Sequence, residues 1–227
     1  MPRSSQATRL SIINTAGVLF AKYGIDEIDT RAATTTRAIA KAANENTGSI
    51  HYHFGGREDL LNAVIDYALE HWQNDPLGRH VEENAQLLET DDGQEELLNS
   101  LIDLLIKMVY AEDYPPWCGT FLFQVTQKQF KISKKAFDIC AEPMTRAFSS
   151  LYKKATGDED PSNAHAWAFM VFTPLVFHAL TAETAKVFFE GGSLPNKYLD
   201  ALTAFVKTSA LASLRAAKGK RTGGVKK

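Results

Sequence analysis

Residues 34–54, TTTRAIAKAANENTGSIHYHF, decide the fold because they form two short helical segments around a tight turn. Hydroxyl side chains at the start of this stretch can cap one helix, which the apolar spacing extends to Ala43. Asn44 tolerates a left-handed backbone better than most residues do, so it predicts the turn. Asn46 can then cap a second helix that runs to about His53. The stretch therefore predicts a helix-turn-helix.

Each residue type in this motif has a physical role. Ile39 and Ile50 are expected to face each other and fix the angle between the two helices, while the small Ala40 lets the helices approach closely. A second helix supported in this way fits the major groove of DNA. The side chains that it projects away from its apolar support are those of Thr47, Ser49, His51 and Tyr52.

Helices are also predicted on both sides of the motif. Apolar residues recur with helical spacing from Thr8 to Tyr23, and Gly24 is typical of a helix C-cap. Residues 25–33 lack a clear period and predict a loop. After the motif, a long amphipathic helix is expected from Arg57 to about Asn74.

The rest of the chain also predicts helices and no strands. Pro143 and Pro174 lie inside helical patterns, so each predicts a kink. Asp91-Asp92-Gly93 predicts a break between two helices. The predicted helices span roughly residues 79–90, 94–112, 118–131, 133–156, 162–190 and 195–217.

The fold class is therefore all-α, with a three-helix DNA-binding domain followed by a larger helical domain. The predicted boundaries are residues 1–56 for the helix-turn-helix domain and 57–217 for an effector-binding and dimerisation domain. The last ten residues, 218–227, are basic and glycine-containing, and they predict a disordered tail.

Charge is distributed unevenly along the chain. The net charge is −2, with 44% hydrophobic and 23% charged residues, which is ordinary globular composition. Residues 1–57 carry seven basic and four acidic side chains, whereas residues 58–214 have a net charge of −11. A phosphate backbone would be attracted to the first segment and repelled by the second. The asymmetry predicts two working parts, of which the first binds nucleic acid.

Composition and termini favour a cytoplasmic protein. Cys118 and Cys140 are too few and too far apart for a zinc spacing or a disulfide framework. The N-terminal sequence MPRSSQATR lacks the apolar segment of a secretory signal, and no run of residues is apolar enough to predict a membrane span. We expect no cofactor and no metal.

The N-terminal third of the chain, about residues 8–72, resembles the TetR family of transcription regulators. The first helix ends with Phe20, Ala21 and Gly24, as in the family pattern F-A-x-x-G. The pattern T-T-x-x-x-I-A-x-x-A follows over residues 34–43 and G-[ST]-[IL]-x-Y-H-F over residues 48–54. Two departures are a loop after Gly24 that is several residues longer, and Thr47 where a lysine is common.

The resemblance implies a set of DNA contacts. Phosphate contacts are implied for Thr34, Tyr52, His53 and Arg57, with Arg37 as a further candidate. Thr47, Ser49 and His51 would lie closest to the bases, and Asn46 would cap their helix. Arg3 and Arg9 could form an arm along the DNA backbone.

In the larger domain, the resemblance implies a pocket for a small, largely apolar effector and a homodimer interface formed by the last long helices. The segment from Phe123 to Gly157 is loosely similar to the CerR-like subset of the family. Small and apolar residues expected at the dimer interface are Ala164, Ala166, Ala168, Ala201, Ala204, Phe205, Thr208 and Leu211. The candidate pocket residues are Trp117, Phe121, Phe137, Cys140, Met144, Trp167, Met170 and His178.

Other interpretations remain open. The motif could be plain helix packing, or a helix-turn-helix that has lost specific DNA binding in a small-molecule-binding protein. The pair His51 and His53 invites a metal interpretation, but residues two apart on a helix do not share a face. A helical enzyme has little support, because the sequence contains no phosphate-binding glycine loop, no Glu-x-x-His pair and no nucleophile-base arrangement. The leading hypothesis is a DNA-binding repressor that is released from its operator by an effector.

Overall fold

The computed structural model describes residues 4–25, 33–110, 115–126, 134–190 and 192–223, and helices account for most of them. No strand occurs within these ranges, so the all-α prediction is confirmed. The helices are α1 (Ser5–Tyr23), α2 (Thr36–Ala42), α3 (Thr47–Phe54), α4 (Arg57–Ala68), α5 (Pro76–Glu83), α6 (Asp91–Val109), α7 (Trp117–Thr126), α8 (Glu142–Thr156), α9 (Pro161–Leu180), α10 (Ala182–Lys186) and α11 (Asn196–Gly223).

The chain divides into two compact units. The first comprises residues 1–71 and 114–137, and the second comprises residues 72–113 and 138–227. The first unit extends beyond the predicted boundary at residue 56, because both α4 and α7 pack against α1. Helix α7 was expected in the effector-binding domain, but its packing assigns it to the same unit as the helix-turn-helix.

The core of the first unit forms around α1, whose apolar stripe was predicted from its spacing. Trp117 of α7 lies over Gly17 of α1, where a Cβ atom would come within 2.5 Å of the indole ring. The Trp117 Nε1–H donates to Asn14 Oδ1 at 3.2 Å, and its ring stacks on Tyr67 of α4. The other large side chains of this core are buried: Ile12, Ile13, Phe20, Ile39, Ile50, Leu60, Val64, Ile65, Phe121 and Val125.

The second unit is a helical bundle in which α9 packs against α6, α8 and α11. Its core includes Leu98 and Leu101 of α6, Phe148 of α8 and Leu175 of α9, each with no exposed surface. Helix α9 continues through Pro174, and the kink predicted at this residue stays a prediction. Ordered packing of these apolar faces, rather than helix propensity alone, stabilises the bundle.

Several helix ends differ from the predictions. Helix α4 ends at Ala68 instead of residue 74, and a 3₁₀ turn at Glu70–Trp72 follows it. Asn74 and Asp75 then adopt left-handed conformations, with φ of 65° and 47°. Pro76 lies in the first turn of α5, where its missing N–H has no helical partner to lose. The break between α4 and α5 therefore depends on three consecutive residues, Asn74, Asp75 and Pro76, rather than on the proline alone.

The predicted break at Asp91-Asp92-Gly93 is wrong, because these residues form the first turn of α6. The hydroxyl of Thr90 accepts the Gly93 N–H at 3.1 Å and caps this helix. Two acidic residues in the first turn also favour the positive end of the helix dipole. A short 3₁₀ helix at Ala85–Glu89 precedes the cap.

The helix predicted over residues 133–156 is helical from residue 134 to Thr156, and a π-helical turn at Phe137–Ala141 lies directly before Pro143. One further prediction of a continuous helix is corrected. The helix predicted over residues 162–190 is divided into α9 and α10. The tail predicted to be disordered from residue 218 is helical to Gly223, while residues 224–227 lie outside the described ranges.

Candidate nucleic-acid interface

Helix α3 is held in place by α2 through a small apolar contact. Ile39 and Ile50 have no exposed surface and Ala40 is 2% exposed, as their predicted roles require. Asn44 adopts a left-handed conformation with φ of 57°, which makes the turn between the helices. The helix-turn-helix predicted from the sequence is therefore present.

Both ends of α3 are capped by the residues that the sequence indicated. The Asn46 Oδ1 accepts the Ser49 N–H at 2.9 Å, which satisfies one of the free donors of the first turn. A Cβ atom on Gly48 would lie 2.9 Å from the same oxygen, so glycine leaves room for this cap. At the other end, Gly55 adopts φ of 85° and its N–H donates to the His51 carbonyl. These caps fix an eight-residue helix that would be marginal by itself.

The outward face of α3 consists of Thr47, Gly48, His51 and Tyr52, all of which are exposed. Tyr52 is the extreme case, with 81% of its surface exposed. Phe54 is buried, as expected, and His53 is half-buried. The helix thus presents polar groups and one aromatic ring on the side away from its apolar support.

Ser49 differs from the expectation that it would lie among the base-facing residues. It is half-buried, and its hydroxyl donates to the Glu45 carboxylate at 3.2 Å. Gly48 occupies the outward face in its place. Sequence reasoning missed both Glu45 and Gly48, although the four-residue separation of Glu45 and Ser49 could have indicated their contact.

His51 makes a hydrogen bond that fixes its ring. Its Nδ1 atom lies 3.0 Å from the carbonyl oxygen of Gly55, and a carbonyl oxygen only accepts. The proton of this bond therefore resides on Nδ1. The other ring nitrogen, Nε2, belongs to a side chain on the exposed face of α3.

Thr34 and Arg57 take part in contacts within the first unit, and the phosphate contacts expected of them stay a prediction. Thr34 has no exposed surface. The Arg57 guanidinium donates to the carbonyl oxygens of Thr34, at 3.0 Å, and Ile25, and it lies over the Phe20 ring. Arg57 thereby ties both ends of the loop between α1 and α2 to the start of α4.

The other basic residues of the first unit lie on its surface. Arg9 is exposed and stacks over the Phe54 ring at 5.1 Å, which places a positive charge next to α3. Arg37 and Lys41 of α2 are also exposed. Arg3 lies outside the described residues. Exposed positive charges therefore lie on the same unit as α3, in the part of the chain where the charge distribution predicted nucleic-acid binding.

The structure gives no support for a metal site or a membrane span within the ranges that it covers. No cluster of three metal-ligating side chains occurs among the described residues. No helix in those ranges combines the length and apolar character needed to cross a bilayer.

The candidate pocket residues are divided between the two units. Trp117 and Phe121 lie in the first unit, where both are buried and their rings are 5.8 Å apart. Phe137, at the end of that unit, is 51% exposed. Cys140, Met144, Trp167, Met170 and His178 belong to the second unit.

Within the second unit, two of these side chains make defined polar contacts. The Trp167 Nε1–H donates to the Ser213 hydroxyl at 2.9 Å. His178 lies between two tyrosines, with Nδ1 bonded to the Tyr110 hydroxyl and Nε2 at 2.7 Å from the Tyr198 hydroxyl. Sequence reasoning missed both tyrosines, because they are 68 and 20 residues from His178 and no local spacing connects them.

Burial determines the protonation of this group and of Cys140. Desolvation lowers the pKa of His178, so the neutral imidazole is favoured. A neutral ring has one donor and one acceptor nitrogen, so one tyrosine donates to it and the other accepts. Burial raises the pKa of the Cys140 thiol, which is therefore no thiolate nucleophile at neutral pH. Met144 and Trp167 are buried, whereas Met170 is 46% exposed.

Helices α9 and α11 expose an apolar face, which we call the α9/α11 face. Its largest members are Phe169, Met170 and Phe177 of α9, and Phe205 of α11, which is 73% exposed. Smaller exposed residues lie on the same helices: Ala166, Ala201, Ala204 and Thr208. Of the other residues expected at a dimer interface, Ala164 and Ala168 are buried inside the unit and Leu211 is half-buried.

Sequence comparison identifies the helix-turn-helix region. Residues 12–64 match the family described as bacterial regulatory proteins, tetR family. This range contains α2, α3 and most of α1 and α4. No curated protein sequence matches the chain.

Solved structures resemble the chain over most of its length. AmtR from Mycobacterium smegmatis is 17% identical with a TM-score of 0.57, covering 98% of this chain and 95% of that one. The fatty acid degradation regulator FadR from Bacillus halodurans is 18% identical with a TM-score of 0.52, covering 88% and 96%. SmeT, the repressor of the Stenotrophomonas maltophilia multidrug efflux pump SmeDEF, is 16% identical with a TM-score of 0.52, covering 93% and 92%. At these identities the likeness establishes the fold.

Proposed function

We propose that the chain is a transcriptional repressor of the TetR family, whose model matches residues 12–64. It binds double-stranded operator DNA as a homodimer in the cytoplasm, and a small, largely apolar effector releases it. The observation that carries this proposal is the outward face of α3, which is capped, supported by buried isoleucines and rich in exposed polar groups. A protein that used α3 only for packing would have no need to expose Tyr52 and His51.

Charge supports the assignment of DNA to the first unit. Arg9, Arg37 and Lys41 are exposed there, and residues 1–57 of this unit carry seven basic and four acidic side chains. Phosphate contacts from such residues position a protein on the duplex, and contacts to base edges specify the sequence. In this proposal, Thr47 and His51 reach the bases, while Tyr52 and His53 contact phosphates.

The α9/α11 face supports a homodimer. Exposed aromatic and apolar side chains on two adjacent helices are costly in water and are typical of helix pairs that pack across a two-fold axis. Dimerisation also has a functional reason, because one α3 helix makes few base contacts. Two half-sites separated by one turn of the duplex bring the affinity into the range of specific regulators.

The effector site belongs to the second unit in this proposal, among Cys140, Met144, Trp167, Met170 and His178. Trp117, Phe121 and Phe137 were also expected to line the site, and their place in it remains a prediction. Two similar structures are named as regulators of fatty acid degradation and of a multidrug efflux pump, which favours an apolar effector. To release DNA, the effector must bind the two states with different affinity, typically by about 1–3 kcal/mol.

Footprinting on the DNA that flanks its own gene tests the repressor proposal. We expect protection of two half-sites about one helical turn apart, with a steep dependence on salt. Uniform, weak affinity for all sequences would instead indicate a small-molecule-binding protein with degenerate DNA binding. Absence of any sequence-specific protection at low salt would contradict the proposal.

A pair of tyrosine variants assigns the binding to α3. Tyr52→Ala removes the most exposed side chain of the outward face, and we expect affinity for operator to fall about tenfold. Tyr23→Ala removes an exposed tyrosine of the same unit outside α3 and serves as the control. Equal effects of the two variants would show that α3 is not the contact surface.

A further inference from the structure

His51 presents a hydrogen-bond acceptor on the outward face of α3. Its Nδ1 carries the proton that is donated to the Gly55 carbonyl, as the 3.0 Å contact requires. A neutral imidazole has a single N–H, so Nε2 then has a lone pair and no proton. Free histidine does not have this restriction, since nothing fixes its tautomer.

We propose that His51 reads an exocyclic amino group of the operator, either adenine N6 or cytosine N4. Those are the donors that bases present in the major groove, whereas guanine and thymine present acceptors there, at N7, O6 and O4. An Nε2 atom without a proton can accept a hydrogen bond from the amino groups of adenine and cytosine. The same atom repels the acceptor atoms of guanine and thymine. This inference rests on the proposed function, because it requires α3 to enter the major groove.

The neighbouring residues reinforce this preference. Arginine and lysine make the commonest guanine contacts, and α3 contains neither. Gly48 contributes no side chain, and the Thr47 hydroxyl can either donate or accept. The hydroxyl proton of Ser49 is already donated to Glu45. The outward face of α3 therefore has one side chain with a fixed hydrogen-bonding direction towards bases, and that side chain accepts.

Nitrogen NMR on the full-length protein tests the tautomer directly. The histidines are labelled with ¹⁵N, and the His51 signals are assigned by their loss in His51→Gln. At about pH 8.5, where histidine is generally neutral, we expect the shifts of an Nδ1-protonated ring. Signals of an Nε2-protonated ring would overturn the proposal whatever the DNA sequence.

Binding to base analogues tests the contact. A preferred sequence is first selected from random duplexes, and each adenine and cytosine of the half-site is then replaced by an analogue that lacks the amino group. At one position we expect about a fivefold loss of affinity, and this loss should disappear in His51→Ala. Substitution of guanines by 7-deazaguanine should show no such coupling to His51.

A control variant, Tyr52→Phe, distinguishes a failure of this inference from a failure of the proposed function. Tyr52→Phe should weaken binding to every duplex equally, because a phosphate contact has no base preference. Coupling of His51 to guanine N7, or to no base at all, would overturn the proposal while leaving the repressor intact. Failure to select any sequence would refute the repressor function itself, and the His51 contact with it.

Discussion

The outward face of α3 and the α9/α11 face are both exposed, but they consist of opposite kinds of side chain. The first has hydroxyl and imidazole groups with defined hydrogen bonds at each end of a short helix. The second has phenylalanine, methionine and alanine on two long helices. Exposed groups that can form hydrogen bonds suit a polar partner with a fixed pattern of donors and acceptors, whereas exposed apolar groups suit another apolar surface.

The proposed function requires both faces. Hydrogen bonds to bases would give specificity but little affinity from a helix of eight residues. Apolar association has no base specificity, but in the proposed homodimer it would place two such helices on one duplex.

The largest effect is expected from a charge in the α9/α11 face. Phe205→Asp places a carboxylate where 73% of an aromatic side chain is exposed. We expect a monomer by sedimentation equilibrium, and operator affinity lower by about a hundredfold because the second half-site is lost. Phe205→Leu keeps the apolar character and should remain a dimer. A monomeric variant that binds operator normally would break the proposed connection between the two faces.

The second prediction compares two glycines, one in each unit. Gly17→Ala would place a Cβ 2.5 Å from the Trp117 ring, so the free energy of unfolding should fall by about 1–3 kcal/mol despite better helix propensity. Gly219→Ala meets nothing within 4 Å and should raise it by about 0.5–1 kcal/mol. Urea unfolding followed by circular dichroism measures both. A rise in the free energy of unfolding for Gly17→Ala would contradict the packing of α7 on α1.

These tests also show what the sequence could and could not predict. Asn44, Asn46 and the two isoleucines were predicted correctly, because caps, turns and apolar spacing depend on neighbours within a few residues. The start of α6 was predicted wrongly, because the N-cap hydrogen bond to Thr90 outweighs the usual tendency of Asp-Asp-Gly to form a turn. The outward face of α3 was predicted except for Ser49 and Gly48.

Contacts between residues far apart in the sequence were the main feature that sequence analysis did not predict. The burial of Thr34 and the bonds of Arg57 depend on 23- and 32-residue separations, which no spacing rule covers. The tyrosines around His178 are a second case. The family resemblance assigned Thr34 and Arg57 to phosphates, and it could not reveal that Arg57 also donates to the carbonyl oxygens of Ile25 and Thr34.

The third prediction separates these two roles of Arg57. Arg57→Met should lower the free energy of unfolding by about 1.5–3 kcal/mol, because charged hydrogen bonds to two carbonyl oxygens are lost. The slope of operator affinity against salt should stay unchanged, since no phosphate contact is removed. Arg57→Lys keeps the charge but not the planar guanidinium group. We expect it to be nearly as unstable as Arg57→Met. If Arg57→Met instead lowered the slope of operator affinity against salt by about one and left stability unchanged, Arg57 would be a phosphate contact.

The smallest effect concerns the ion pair between Asp91 of α6 and Lys218 of α11, which are 2.6 Å apart. The hydrogen bond and charge of Lys218 hold the pKa of Asp91 below its ordinary value. A depressed carboxyl pKa stabilises the fold above the pKa of the unfolded chain, and this contribution is lost as the pH falls through the lower pKa of the folded protein. Asp91→Asn should therefore lower the Tm slightly at pH 7, and the difference from the unmodified protein should vanish well below about pH 4.

Asp92→Asn is the matched control for this pair, because Asp92 lies in the same first turn of α6 and interacts with the same helix dipole. The difference in Tm between the two variants at pH 7 isolates the contribution of Lys218, and it should shrink in high salt because the pair is exposed. Identical Tm values at every pH would show that the pair of Asp91 and Lys218 contributes nothing to the stability of the fold, as is common for exposed ion pairs.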